Sequence, residues 1–159
     1  MKARTLIGLI VISAGMMAAC GGKNQSNHEH NSKQTTVKQD PPSYDPKRGE
    51  GKFDENNLKI EGLDGALATK GKAISETKCF SCHKATEEKL VGPGWKGVTE
   101  RRKPHWIMNF ITNPDAMIDK DPEVQAQLEI CLVRMPDQNL TDDEARNILE
   151  FMRQNDGAK

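Results

Sequence analysis

Little in this chain could build a large, self-sufficient core. Aromatic residues make up 4% of its 159 residues and hydrophobic ones 35%, which is thin for a domain held together by burial alone. Charge of one sign is also missing, since 23 basic and 23 acidic residues cancel to a formal net charge of zero. Without a strong field, nucleic acid is not an expected partner. No internal repeats occur, and no stretch alternates apolar and polar residues well enough to make a strand. Cysteine is scarce too: Cys20, Cys79, Cys82 and Cys131 are the only four. Their placement suits three separate jobs better than a disulfide scaffold. The length allows one domain, and a prosthetic group is the natural means of completing so poor a core.

The N-terminus reads as an export signal. Lys2 and Arg4 precede an apolar run from Thr5 to Ala14, too short to span a membrane comfortably. Met17-Ala18-Ala19-Cys20 resembles a bacterial lipobox, with small residues before the cleaved bond and cysteine after it. That resemblance implies a signal peptide over 1–19 and lipidation of Cys20. Several acyl chains on one residue then anchor the protein stably to a membrane of the cell envelope, with its folded part in the periplasm. Gly21 to about Lys52 is rich in Asn, Gln, Ser, Lys and Thr and holds Pro41, Pro42 and Pro46. Such a segment lacks the apolar surface to offset its ordering entropy. His28-Glu29-His30 within it lacks the further ligands of a real metal site. Phe53 to Glu61 has no clear place of its own, so residues 20–61 are assigned to a flexible tether and 62–159 to the folded domain.

That domain is expected to be all-α. Asp64 can cap a helix from about Gly65 to Lys78, with Leu67, Gly71 and Ile74 on one face. Pro104 suits the first turn of a second helix bearing Trp106, Ile107, Phe110 and Ile111, which Asn113-Pro114 stops. Asp121-Pro122 begins a third, with Val124, Leu128, Cys131 and Leu132 on one stripe. Thr141 and Glu144 have capping-box spacing before a last helix with Ala145, Ile148, Leu149 and Met152 on its packing side.

Cys79-Phe80-Ser81-Cys82-His83 carries the chemistry. The C-x-x-C-H spacing marks c-type haem attachment. Two thiols just beyond a helix can add to the two vinyl groups of one haem, and the adjoining histidine then becomes its proximal iron ligand. A zinc site would want a second Cys or His pair, and a thioredoxin-like redox pair would want a βαβ setting. The chain has neither. The sixth iron ligand has to come from downstream, where Met108, Met117, Met135, His105 and Met152 are candidates. Met108 and Met152 fall on helices where methionine usually fills gaps, and His105 reads as a surface residue near a helix start. Met135, followed by Pro136 in the connection before the last helix, is favoured, because a loop residue can reach across without breaking a helix. Met117 is the serious rival.

With those residues in place, the domain resembles the class I monohaem cytochrome c family. Five features match in the family's order: Gly71 to Ile74, the Cys79/Cys82/His83 motif, Gly92-Pro93-Gly94-Trp95 with Gly97-Val98, Met135-Pro136, and the Leu140-Thr141 helix with Phe151 near its end. The resemblance implies a small cytochrome c fold of about four helices wrapped around one covalently bound haem c. It implies that the first and last helices cross at right angles, with Gly71 meeting Phe151. It also implies that the Pro93 carbonyl accepts a hydrogen bond from the His83 ring, which fixes the tautomer and raises the ligand's basicity. Cys131 is not required by the family and is read as a small buried apolar residue. Arg101-Arg102-Lys103 with Lys96 reads as a solvated turn, with orientation toward an acidic redox partner as the alternative.

Filling both axial positions with His83 and Met135 leaves no open site for a substrate, so the expected role is single-electron transfer and not catalysis. The expected partners are a membrane quinol-oxidising complex as donor and a terminal reductase or oxidase as acceptor. A haem-based gas sensor and a cytochrome subunit of a larger oxidoreductase are the alternatives, and a single C-x-x-C-H argues against a dihaem peroxidase. Because the apolar inventory is so small, the haem-free Cys79→Ala/Cys82→Ala protein is expected to be largely unfolded, as metal-stripped small domains are. Circular dichroism and amide exchange check this, and a well-packed helical apoprotein would refute it.

Overall fold

Proline and its preceding cap residues set out most of the architecture. The computed structural model describes residues 44–159; the expected signal peptide, Cys20 and the first part of the expected tether lie outside the described residues. Six helical segments follow one another: α1 (Gly65–Lys78), α2 (Val98–Arg101), α3 (Pro104–Thr112), α4 (Pro114–Lys120), α5 (Pro122–Cys131) and α6 (Asp142–Asn155). No strand occurs among the described residues, so the expected all-α class holds. Asp64 caps α1, accepting from the Ala66 and Leu67 amides at 2.9 and 3.0 Å. Thr141 and Glu144 close the capping box of α6.

Two short helices come in addition to the four expected. Asn113-Pro114 ends α3 as read from the sequence, but the same pair starts α4 at once, with Asn113 accepting from Ala116 N–H. A proline at the first helical position is pre-set for helix and lacks only an amide that would be unpaired there anyway. α5 stops one residue early. Leu132 adopts φ +58° and is 84% exposed, so it ends the helix and does not extend the Val124–Leu128–Cys131 stripe.

α1 and α6 form the most extensive helix pairing, and small residues make it possible. The buried positions of α1 are Ala68, Gly71 and Ser75, with Leu67 and Ile74 to their flanks. A Cβ on Gly71 would lie 1.9 Å from the Asn147 carbonyl oxygen and 2.8 Å from the Ile148 nitrogen. Gly71 thus lies against the backbone of α6 one turn before Phe151. Phe151 joins Phe80 and Trp95, with ring centroids 6.2 and 6.4 Å away. Where two helices touch backbone to backbone, no side chain fits between them.

The segment before α1 also departs from expectation. Residues 44–61, assigned to a flexible tether, pack onto α3, α4 and α5 as a strap. Phe53 and Leu58 are buried in the core. The fully buried Asn109 of α3 accepts from Phe53 N–H at 2.8 Å and donates to the Arg48 and Phe53 carbonyls at 3.0 Å. Met117 Sδ accepts from Glu50 N–H at 2.9 Å. Gly51 leaves room for the Asn109 amide, which a Cβ there would meet at 2.4 Å. The polar composition that suggested disorder is offset by one asparagine that pairs the strap's backbone groups, which would otherwise cost roughly 1–3 kcal/mol each when buried.

Glu150, also fully buried, ties α6 to the start of α1. It pairs with Arg146 and Arg153 at 2.7 Å and accepts from Asp64 N–H at 3.2 Å, while Arg153 donates to the Glu61 carbonyl at 2.7 Å.

Because the α1–α6 contact is made by backbone that cannot move aside, Gly71→Ala is expected to destabilise the domain by about 2–3 kcal/mol or more. Gly65→Ala, whose added Cβ meets nothing within 4 Å, is expected to change the denaturant midpoint little.

Candidate functional site

The end of α1 delivers the Cys79–His83 segment. Cys79 is the C-cap, its amide bonded to the Ser75 carbonyl at 2.9 Å. A turn follows, with Cys82 and His83 amides donating to the Cys79 carbonyl at 3.0 and 2.9 Å. The chain then loops and returns, Gly92 N–H bonding the Cys82 carbonyl at 2.8 Å and Trp95 N–H the Lys84 carbonyl at 2.9 Å. Phe80, inside the motif, points into the aromatic group, 5.5 Å from Trp95 edge to face. One motif residue thus anchors the turn to α6 while its neighbours face elsewhere.

His83 is held from two sides. Its Nδ1 lies 2.9 Å from the Pro93 carbonyl, so the hydrogen bond implied by the sequence resemblance is present and Nδ1 is the donor. Nε2 is then the nitrogen with the free lone pair. Burial lowers the imidazole below its ordinary pKa, against the opposing pull of the Pro93 hydrogen bond, so the ring is neutral near pH 7. Gly92 lies against the ring, where a Cβ would be 2.4 Å from Cε1 and 2.8 Å from Nδ1. Burial also pushes the Cys79 thiol up to about 11, despite Lys78 and a Ser75 hydrogen bond acting to lower it.

His83 opens onto a cavity of about 790 Å³, within the roughly 300–1,000 Å³ usual for a bound organic group. Cys82, Gly92, Pro93 and Trp95 wall it on the His83 side; Trp106, Ile107, Phe110 and Ile111 of α3, Val124 and Leu128 of α5 and Met152 of α6 supply most of the rest. Met135 and Pro136 enter from the connection before α6. Cys79 does not line it. Of the predicted site residues, the structure therefore brings Cys82, His83, Pro93 and Met135 to one cavity, leaves Cys79 at its edge of the core, and places Cys20 outside the described residues.

The rival ligands sort by location. Met117 is fully buried in α4 beneath the strap and is no part of the cavity wall. Met108 is 1% exposed in the core. His105, expected at the surface, is half-buried with Nε2 enclosed and without a hydrogen-bond partner. Cys131, read as a small buried apolar residue, is half-buried and lies on the cavity wall.

The cavity has one polar end that sequence reasoning missed. Arg102, expected in a solvated turn, ion-pairs with Glu123 and lies 4.3 Å over the Trp106 ring. Arg101, Arg102, Trp106 and Glu123 all reach the cavity. The sequence signal was present: an arginine four residues before a tryptophan, at a helix start, can stack on it.

A neutral imidazole with a fixed tautomer, an apolar cavity of cofactor size, a glycine that keeps the ring's flank clear and two thiols not paired in a disulfide fit a covalently held haem. The comparisons decide the family: the family model for cytochrome c matches residues 68–156. The chain belongs to the cytochrome c family. Its helices superpose on cytochrome c from Rhodothermus marinus, which is 33% identical over 65% of this chain and 90% of that one, with a TM-score of 0.62. An engineered cytochrome c from the same organism is also 33% identical, covers 70% of this chain and 98% of its own, and has a TM-score of 0.63. No curated protein matches the chain. Cytochrome c domains carry covalent haem c and transfer electrons, and the strap, α4 and the Arg102–Trp106 stack are features this cytochrome c adds to the sequence-level picture.

Gly92→Ala is expected to push the His83 ring from its place, changing the visible spectrum of the haem protein and lowering its stability by about 1–3 kcal/mol. Gly62→Ala, with nothing within 4 Å of the added Cβ, is the control expected to alter neither.

Proposed function

We propose that this cytochrome c is a one-haem electron carrier, thioether-linked through Cys79 and Cys82, with its iron held between His83 Nε2 and Met135 Sδ. The observation that carries the reading is the shared cavity of His83 and Met135, approached from different segments, with Met117 engaged elsewhere by the strap. A haem held by these residues would supply the one-electron chemistry. The chain's contribution is to bind and insulate. Pro93 fixes the imidazole and strengthens it as a donor. A Met135 thioether as second iron ligand would favour the reduced state relative to harder ligands. Apolar walls from α3 and α5 keep water out, which further tunes the potential.

Lipidation of Cys20 would confine the carrier to the periplasmic face of a cell-envelope membrane, near a quinol-oxidising complex as donor and a terminal reductase or oxidase as acceptor. The export signal and small residues before Cys20 support that placement. No helix of the described residues is long and apolar enough to cross a membrane.

Met135→Ala tests the ligation directly. The native oxidised protein is expected to show a far-red iron–sulfur charge-transfer band; the variant is expected to lose it and, when reduced, to bind carbon monoxide. Met117→Ala is expected to keep the band while losing about 2–5 kcal/mol of stability. A band that survives Met135→Ala and vanishes in Met117→Ala would overturn the assignment.

A further inference from the structure

At Asp121 the strap, the wall of the cavity and the start of α5 share one side chain. It is 1% exposed, and the hydrogen bonds it accepts come from all three parts of that assembly. Oδ1 takes the Glu123 and Val124 amides at 2.8 and 3.0 Å, which caps α5. Oδ2 takes the Trp106 indole N–H at 2.8 Å and the Tyr44 hydroxyl of the strap. A buried carboxylate is tolerable only when its acceptor sites are filled, so Tyr44 is one of the donors that make this arrangement possible. Trp106 in turn lines the cavity and carries Arg102 on its ring, while Arg102 holds Glu123, the residue whose amide Asp121 caps. The loop of contacts closes on itself.

We propose that Tyr44 is a positioning residue for the cofactor cavity: through the shared Asp121 carboxylate it fixes the Trp106 indole and the first turn of α5, and it holds a negative charge beside the cavity's polar end. This rests on the reading that the cavity holds haem. The indole N–H is directed away from the cavity toward Asp121, so the tryptophan presents its ring to the cavity while its polar atom belongs to the strap. The charges around Asp121 are otherwise paired: Arg102 with Glu123 from α5, and Lys120 at the end of α4 with Glu50 of the strap. Asp121 is therefore the unbalanced charge of the cluster. Burial raises its pKa, but the hydrogen bonds from Tyr44, Trp106 and the two amides outweigh that and hold it below the ordinary carboxylate value.

The consequence has a definite sign. An anionic carboxylate held behind the cavity wall by Trp106 would favour the more positive, oxidised state of a haem bound there and so lower its reduction potential. In the native protein the charge persists to low pH. Removing the Tyr44 hydroxyl removes a hydrogen bond to the charged form, so Asp121 takes up a proton at a higher pH. As pH falls through that range the variant loses the charge and its potential rises relative to native.

The experiment uses the full-length haem protein with Tyr44→Phe and Asp121→Asn, each titrated for reduction potential between about pH 4 and 8 and compared with native, alongside the Trp106 indole N–H resonance. Tyr44→Phe is expected to match native at pH 8 and to rise above it toward pH 4, with the indole resonance shifted; Asp121→Asn is expected to lie above native throughout. If Tyr44→Phe tracks native at every pH and leaves the indole resonance unmoved, the proposal is wrong, even if the protein is less stable. A mere packing role would lower the melting temperature without touching the pH profile. Should Asp121→Asn fail to fold, the Tyr44→Phe difference still decides. Absence of a haem spectrum in native protein would instead sink the function proposed above, and the indole resonance would still report whether Tyr44 positions Trp106.

Discussion

The close approach of α1 to α6 at Gly71 sets the geometry on which the cofactor site depends. Two backbones in direct contact admit no adjustment by side-chain repacking, so the direction of α1 is set by α6. The Cys79–His83 turn leaves α1 at its C-cap and inherits that direction. Phe80 repeats the constraint two turns on by entering the Trp95–Phe151 aromatic group. His83 is thereby placed before any ligand contact is made, and the Pro93 carbonyl has only to choose its tautomer.

Much of this was legible because it is punctuated locally. The caps Asp64 and Thr141, and the prolines at positions 104 and 122, mark helix starts by chemistry that acts within one turn. C-x-x-C-H is likewise a local arrangement, and Pro93 follows from the family's order of features. Long-range matters were read less well. The strap's polar residues look like a tether because composition counts side chains, whereas Asn109 satisfies the strap's main chain from 56 residues away in sequence. α4 was hidden because Asn-Pro signals an end and a beginning equally well. Gly71 was correctly marked as a contact, but its partner is backbone, which no residue pattern displays. Arg102 was set aside in a charge run whose members turn out to have different surroundings, Lys103 exposed and Arg102 stacked on Trp106.

The strap changes what the domain boundary means. A tether that ended at α1 would leave α3, α4 and α5 joined mainly through Ile107, Ile111, Ile118 and Val124. With the strap docked, Phe53 and Leu58 add apolar area from outside the helices, and Met117 is taken out of reach of the cavity by Glu50 and Gly49. The same segment that completes the core also takes one thioether, Met117, away from the cavity, leaving Met135 and Met152 on its wall. The left-handed residues Leu132 and Asn139 at either end of the connection before α6 let so short a link leave one helix and enter the next.

Three fully or almost fully buried polar side chains, Asn109, Asp121 and Glu150, hold elements that have no continuous apolar stripe. Replacing a fully paired buried polar group by apolar residues of like shape is often neutral or even stabilising, so net stability alone does not explain them. Register does. Asn109 can bind the strap only where Arg48 and Phe53 present their main chain; Asp121 can cap α5 and receive Tyr44 and Trp106 only in one alignment; Glu150 meets both arginines and the Asp64 amide in a single setting of α6 against α1. An apolar substitute would tolerate a slip of one residue, whereas each of these would then be left buried and unpaired. In a domain with so few large apolar residues, polar pairs supply the uniqueness that packing provides elsewhere.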